Sequence, residues 1–94
     1  MGQTRDEYSL APLSLVRTRE GRPVRVILGP AAKHQWLENR TEGAVEADWS
    51  TDGKTLDIYG QSGPLRVYAP AATVIRRNGA VAPATKDGDF VRLP

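Results

Sequence analysis

The sequence predicts an all-β fold, a small antiparallel β-sandwich or open barrel of about seven or eight short strands. The first observation behind it is hairpin punctuation. Asn78-Gly79 separates Thr73-Val74-Ile75 from Ala80-Val81, Asp87-Gly88 precedes Phe90-Val91-Arg92-Leu93, and Asp52-Gly53 divides the run 45–49 from the run 55–59. Asn-Gly and Asp-Gly supply the positive φ that two-residue hairpins need, and β-branched flanks complete the signal. The second is alternation of apolar and polar residues with period two, the mark of strands buried on one face.

In chain order, residues 1–7 read as a flexible polar tail and residues 8–94 as a single β domain. Between Tyr8 and Thr18, Pro12 interrupts the apolar residues Leu10, Leu13, Leu15 and Val16, which suits an edge strand or a bulge but not a central strand. Glu20-Gly21-Arg22 forms a turn. In the following run Val24, Val26 and Leu28 share one face, with Arg25 and Ile27 on the other. Gly29-Pro30 breaks the pattern. Pro30 to Asn39 is the one helix-compatible stretch, read as a short helical connector because proline is tolerated in a first helical turn. Further on, Val45, Ala47 and Trp49 face the core, opposite Glu46 and Asp48. Leu56 and Ile58 point in with Asp57 out, and Leu65 and Val67 point in with Arg66 and Tyr68 out.

Composition restricts the chemistry. Ninety-four residues suffice for one two-layer core with little volume to spare for an enclosed cleft. Without cysteine the chain has no disulfide, thiolate metal site or thiol nucleophile. Ten of its thirteen basic residues are arginine, but a net charge of +2 is too small to point to nucleic acid. No apolar run approaches the roughly 20 residues of a membrane-spanning helix. The polar N-terminus has no signal-peptide core, so a secreted or periplasmic location is expected only as part of an exported parent.

The individual motifs carry little catalytic promise. His34 is the only histidine, and it has neither thiolate partners for zinc nor a nucleophile elbow beside it. Glu42, Glu46 and Asp48 suggest paired carboxylates, but a glycosidase pair needs a walled cleft, and a solvated strand face accounts for them. Asp87-Gly88-Asp89 lacks the remaining ligands of a calcium loop. Asn39-Arg40-Thr41 matches a glycosylation sequon, a short pattern that arises often by chance. The expectation is a non-enzymatic chain without metal or cofactor. Arg17, Arg19, Arg22 and Arg25 cluster around the first turn, and Arg76 and Arg77 flank a later one. The candidate binding residues are Tyr59 and Tyr68 as stacking platforms, with Arg66, Arg76 and Arg77 beside them and Trp36 nearby, since ring faces flanked by polar groups suit sugars.

The last thirty residues, with Leu65-Arg66-Val67-Tyr68-Ala69-Pro70, Thr73 to Val81 and Lys86-Asp87-Gly88-Asp89-Phe90-Val91-Arg92-Leu93, resemble the C-terminal β-sandwich domains of bacterial glycoside hydrolases and polysaccharide lyases. The resemblance implies a non-catalytic accessory module of a carbohydrate-active enzyme. Its partner is then a catalytic domain or partner chain, docked on an exposed apolar patch around Tyr68 and Trp36. The alternative is an autonomous module for glycans or other polyanions, so polysaccharide is the second expected partner.

Overall fold

The computed structural model describes residues 7–11, by their backbone, and residues 14–94. The described chain is all β and contains no helix. Its strands are β1 (Glu7–Ala11), β2 (Ser14–Arg19), β3 (Arg22–Leu28), β4 (Leu37–Asn39), β5 (Val45–Trp49), β6 (Thr55–Gly60), β7 (Leu65–Tyr68), β8 (Val74–Arg77), β9 (Ala80–Val81), β10 (Thr85–Asp87) and β11 (Phe90–Leu93). The count exceeds seven or eight because β4, β9 and β10 are only two or three residues long, too short for alternation to be legible.

The strands form two sheets. The larger has the order β1-β2-β3-β5-β6-β8-β9, and the smaller β10-β11-β7-β4. Their inner faces meet in one core. Val16, Val26, Leu28, Val45, Ala47, Trp49, Leu56 and Ile58 come from the larger sheet, and Leu37, Leu65, Val67, Val91 and Leu93 from the smaller. This is the predicted sandwich. One pairing is parallel, β6 with β8. The chain leaves β6 for β7 in the other sheet and returns, so β8 arrives running in the direction of β6.

Glycine marks each of the predicted turns, but of the three dipeptides only Asn78-Gly79 makes the two-residue turn expected. Asp87 stays in β10 opposite Phe90, so Gly88-Asp89 turns there, and Asp52-Gly53 lies in a longer loop closed by the Ser50 N–H on the Thr55 carbonyl. Asn78 and Gly79 have φ of 52° and 86° and join Arg77 to its cross-strand partner Ala80, as a type I′ hairpin demands. Asn78 does more than turn. Its side chain accepts from the Gly60 N–H at 3.0 Å and donates to the Gly60 carbonyl at 3.1 Å, extending the β6–β8 ladder by one rung. Gly60 itself has φ +119°, and a Cβ there would stand 2.4 Å from the Ala44 carbonyl oxygen.

Three expectations are corrected. The connector 30–39 is not helical. Ala32 N–H donates to the Gly29 carbonyl at 3.3 Å with Ala31 at φ 59°, so Pro30 occupies the second position of a type II turn, which suits its fixed φ as well as a helix start does. His34 and Leu37 then exchange both backbone hydrogen bonds, and Lys33 bridges Glu38, making a small hairpin that ends in β4. Second, Val24 does not share the inward face of Val26. The register slips between the Arg17–Arg25 and Thr18–Pro23 pairs, so Val24 is the extra residue of a bulge and Pro23 is buried in its place. Third, Glu7 of the predicted tail already belongs to β1, opposite Arg17. Residues 1–6, and Pro12 with its predicted edge or bulge role, lie outside the described residues; β1 is the edge strand of its sheet, with a register irregularity between Tyr8 and Ala11.

Candidate functional site

Because strands alternate, each outer face is a grid of the residues that do not enter the core. On the larger sheet one row reads Arg17, Arg25, Asp48, Asp57, Arg76, each the cross-strand partner of the next. Arg25 Nε lies 2.8 Å from Asp48 and 3.3 Å from Glu46. Arg76 grips Asp57 through Nε at 2.8 Å and Nη2 at 3.2 Å, an arrangement that raises the Arg76 pKa, chiefly through those hydrogen bonds. Glu46 is hydrogen-bonded to Asp48, and that bond, followed by partial burial, raises the Glu46 pKa. With Glu46 beside it the row is charge-balanced, the solvated strand face expected of Glu46 and Asp48.

The outer face of the smaller sheet is different. Glu38, Arg66 and Arg92 are successive cross-strand partners on β4, β7 and β11, and Tyr68 pairs with Phe90, which pairs with Asp87 on β10. Arg66 lies over the Phe90 ring at 3.9 Å, and the Tyr68 and Phe90 rings meet edge to face at 5.7 Å. Asp87 Oδ2 accepts from the Nε of both Arg66 and Arg92, at 3.1 Å each. The Arg66 bond, ahead of the influence of Arg92, holds the Asp87 carboxyl below its usual range. Arg40 donates to Glu38 at 2.6 Å and depresses that carboxyl too. Arg40, Arg66 and Arg92, with Glu38 and Asp87, surround a depression of about 480 Å3. An aromatic strip beside cationic forks can stack a ring and hold an oxyanion at once.

A second cleft opens at the end of the sandwich. Pro23, Trp49, Pro70 and Ala71 wall a space of about 150 Å3 with Ser50 to Gly53 at its mouth. The Trp49 indole N–H is already committed to the Tyr68 carbonyl at 2.6 Å.

The predicted binding residues therefore separate. Arg66 and Tyr68 stand together on the smaller sheet. Tyr59 and Arg76 stand on the opposite outer face, so the two tyrosines share no platform. Trp36 packs half-buried against the core, its ring 5.5 Å from His34. Arg77 points inward from β8, where its guanidinium donates to the carbonyls of Pro94 at 3.0 Å, Gln61 at 3.1 Å and Gly63 at 2.6 Å. Burial lowers its pKa. It works as a structural clamp. Arg40, Arg92, Phe90 and Asp87 escaped sequence reasoning because Arg40, just after β4, lies far along the chain from the β10–β11 hairpin that carries the other three, and only β7 between those strands brings them together.

The remaining motifs resolve structurally. Asn39 of the sequon is 1% exposed and its amide nitrogen already donates to the carbonyls of Leu28, Gly29 and Gly43. A glycan cannot be accommodated there in the folded chain. His34 Nδ1 accepts from the Trp36 N–H at 3.4 Å, and burial lowers the His34 pKa. Among the described residues no group of three or more His, Cys, Asp or Glu could hold a metal. The large apolar side chains exposed among them are Tyr59, Val74 and Val81. They share the outer face of the larger sheet at its β6-β8-β9 end, away from the patch predicted around Tyr68 and Trp36.

The chain is similar to uroporphyrinogen decarboxylase of Hahella chejuensis, 33% identical over 84 residues that cover 72% of this chain and 24% of that protein. The corresponding protein of Teredinibacter turnerae is similar to the same extent, 33% over 84 residues with 72% and 24% covered. The chain thus spans about a quarter (24%) of the length of the curated relatives it matches. No protein-family model matches it. No solved structure matches it either.

Proposed function

We propose that this chain is a non-catalytic accessory β-sandwich module of a carbohydrate-active protein, and that the outer face of its four-stranded sheet takes an acidic glycan. One observation carries the reading: Arg40, Arg66 and Arg92 surround a single depression, with Phe90 under Arg66 and Tyr68 against Phe90. Guanidinium forks match the geometry of carboxylates and other oxyanions, and the rings offer a surface for the carbon face of a sugar. The catalytic unit, in the same polypeptide or a partner chain, docks in this reading on the opposite face, where Tyr59, Val74 and Val81 are exposed. Affinity electrophoresis tests it. The chain should be retarded in gels containing polygalacturonate and not in gels containing neutral dextran, and Arg66→Ala or Tyr68→Ala should abolish the retardation. Equal mobility in all gels removes the reading.

A second reading is favoured by the similarity to uroporphyrinogen decarboxylases. Those proteins by name act on a carboxylated substrate, and the same three arginines suit carboxylates. Calorimetric titration with uroporphyrinogen distinguishes it: saturable heat lost in Arg66→Ala supports this reading, and absence of heat refutes it.

A further inference from the structure

Resting on the reading of the smaller sheet as an anion site, we infer that the site selects a tetrahedral oxyanion ester, sulfate or phosphate, over a carboxylate, and that Asp87 is its positioning residue. Arg66 and Arg92 are directly opposite on neighbouring strands, an arrangement of like charges that is unfavourable by itself. A single carboxylate oxygen, Asp87 Oδ2, holds both through Nε at 3.1 Å. Arg40 is held the same way, its Nε 2.6 Å from Glu38. In all three arginines the side-on nitrogen is committed to a protein carboxylate. What remains on each for a ligand is its pair of terminal nitrogens, and the Phe90 ring, with the Arg66 Cζ 3.9 Å over its centre, packs against the Arg66 fork.

The number of forks then decides the ligand. A carboxylate has two coplanar oxygens and is fully engaged by one fork in the bidentate manner. The other two guanidiniums would keep their protein carboxylates and gain no bond from that ligand through their terminal nitrogens. A sulfate or phosphate ester has three terminal oxygens pointing in different directions, so it can accept from forks on different sides together. The site has more donors than a planar anion can use, and Asp87 keeps two of them converged.

The test is affinity capillary electrophoresis of the full chain at fixed ionic strength, with dextran sulfate, polyphosphate and polygalacturonate at equal charge concentration. The sulfated or phosphorylated polymer should bind about tenfold or more tightly than polygalacturonate, a difference near 1.4 kcal/mol. Which of the two binds better identifies the ester. Asp87→Asn should bring the ratio toward one while the thermal transition remains cooperative, and Arg92→Lys, which keeps the charge and loses the fork, should do likewise. Polygalacturonate binding as tightly as the esters overturns the inference and leaves the acidic-glycan reading intact. A ratio unchanged in Asp87→Asn and Arg92→Lys removes the positioning role. Failure of all three polymers to bind overturns both the inference and the reading beneath it.

Discussion

The hydroxyl of Thr41 donates to Oδ1 of Asn39 at 2.7 Å, while the Thr41 backbone N–H donates to the same oxygen at 2.9 Å. With the three bonds from its amide nitrogen, Asn39 ties the end of β3, the hairpin that follows it and the loop before β5 into one buried joint. Asn39→Ala removes a partner from the Leu28 carbonyl and from the Thr41 N–H, while the Gly29 carbonyl keeps the Ala32 N–H and the Gly43 carbonyl keeps the Thr41 hydroxyl. At about 1–3 kcal/mol for each buried group left unsatisfied, partly relieved by water at the sheet end, a loss of about 3 kcal/mol or more is expected in urea unfolding. Thr41→Val keeps the backbone bond and should cost less than half as much.

Ala31 stands at φ 59° in a type II turn, a position that favours glycine. The left-handed conformation costs an ordinary residue about 1–2 kcal/mol, against which glycine loses more chain entropy on folding. Ala31→Gly should therefore stabilise the chain by about 0.5–1 kcal/mol, visible as a rise in Tm.

Arg77 clamps the carbonyls of Gln61, Gly63 and Pro94, and its Nε is buried without a partner. Arg77→Ala should lower stability by about 2–3 kcal/mol, the scale of charge-assisted hydrogen bonds. Arg77→Lys should recover less than half of that, because one ammonium cannot reach carbonyls on different sides. Thermal melts of the two variants settle it.

Glu46 has a raised pKa in the folded chain, first because of its hydrogen bond to Asp48. Its stabilisation is complete below the unfolded carboxylate pKa of about 4.3 and is lost as pH rises through the folded value. Glu46→Gln retains a donor toward Asp48 at every pH. The nearby Arg25 contact is half exposed at both ends, 41% and 31%, and its loss matters little. The variant should melt higher than the parent at pH 7, by less than about 1 kcal/mol, and the difference should vanish near pH 4. Asp87 and Glu38 behave oppositely. Their depressed pKa values, due first to Arg66 and Arg40, give stability above the unfolded carboxylate range that is lost as pH falls through the folded values.

The two outer faces can be told apart by matched variants. Arg66→Ala removes a fork from the smaller sheet, and Arg76→Ala removes an equal charge from the larger. Anion binding should fall about tenfold or more in the first and less than about twofold in the second. Equal effects, measured by the same electrophoresis, would point to diffuse charge instead of a built site.

Much of the fold was legible along the chain because turns and alternation are local. Trp49, Leu56, Ile58, Leu65 and Val67 enter the core as their parity requires, and Asn78-Gly79 turns where it should. The segment 30–39 was not legible, since a proline preset for a helix start is equally preset for a type II turn. Val24 misled for a similar reason: a bulge shifts parity by one residue and leaves no compositional mark.

Local chemistry along the backbone thus determined that this protein is a β-sandwich and, away from the bulge at Val24 and the inward Arg77, which side chains turn outward. Only the tertiary structure decided which outward side chains meet. Tyr59 and Tyr68 have the same parity signal yet lie on opposite faces, because β6 and β7 belong to different sheets. Arg66, Arg92 and Asp87 converge because β10, β11 and β7 are neighbours. Strand order is set by how the whole apolar surface is best buried between two layers, and no short stretch of sequence contains that choice.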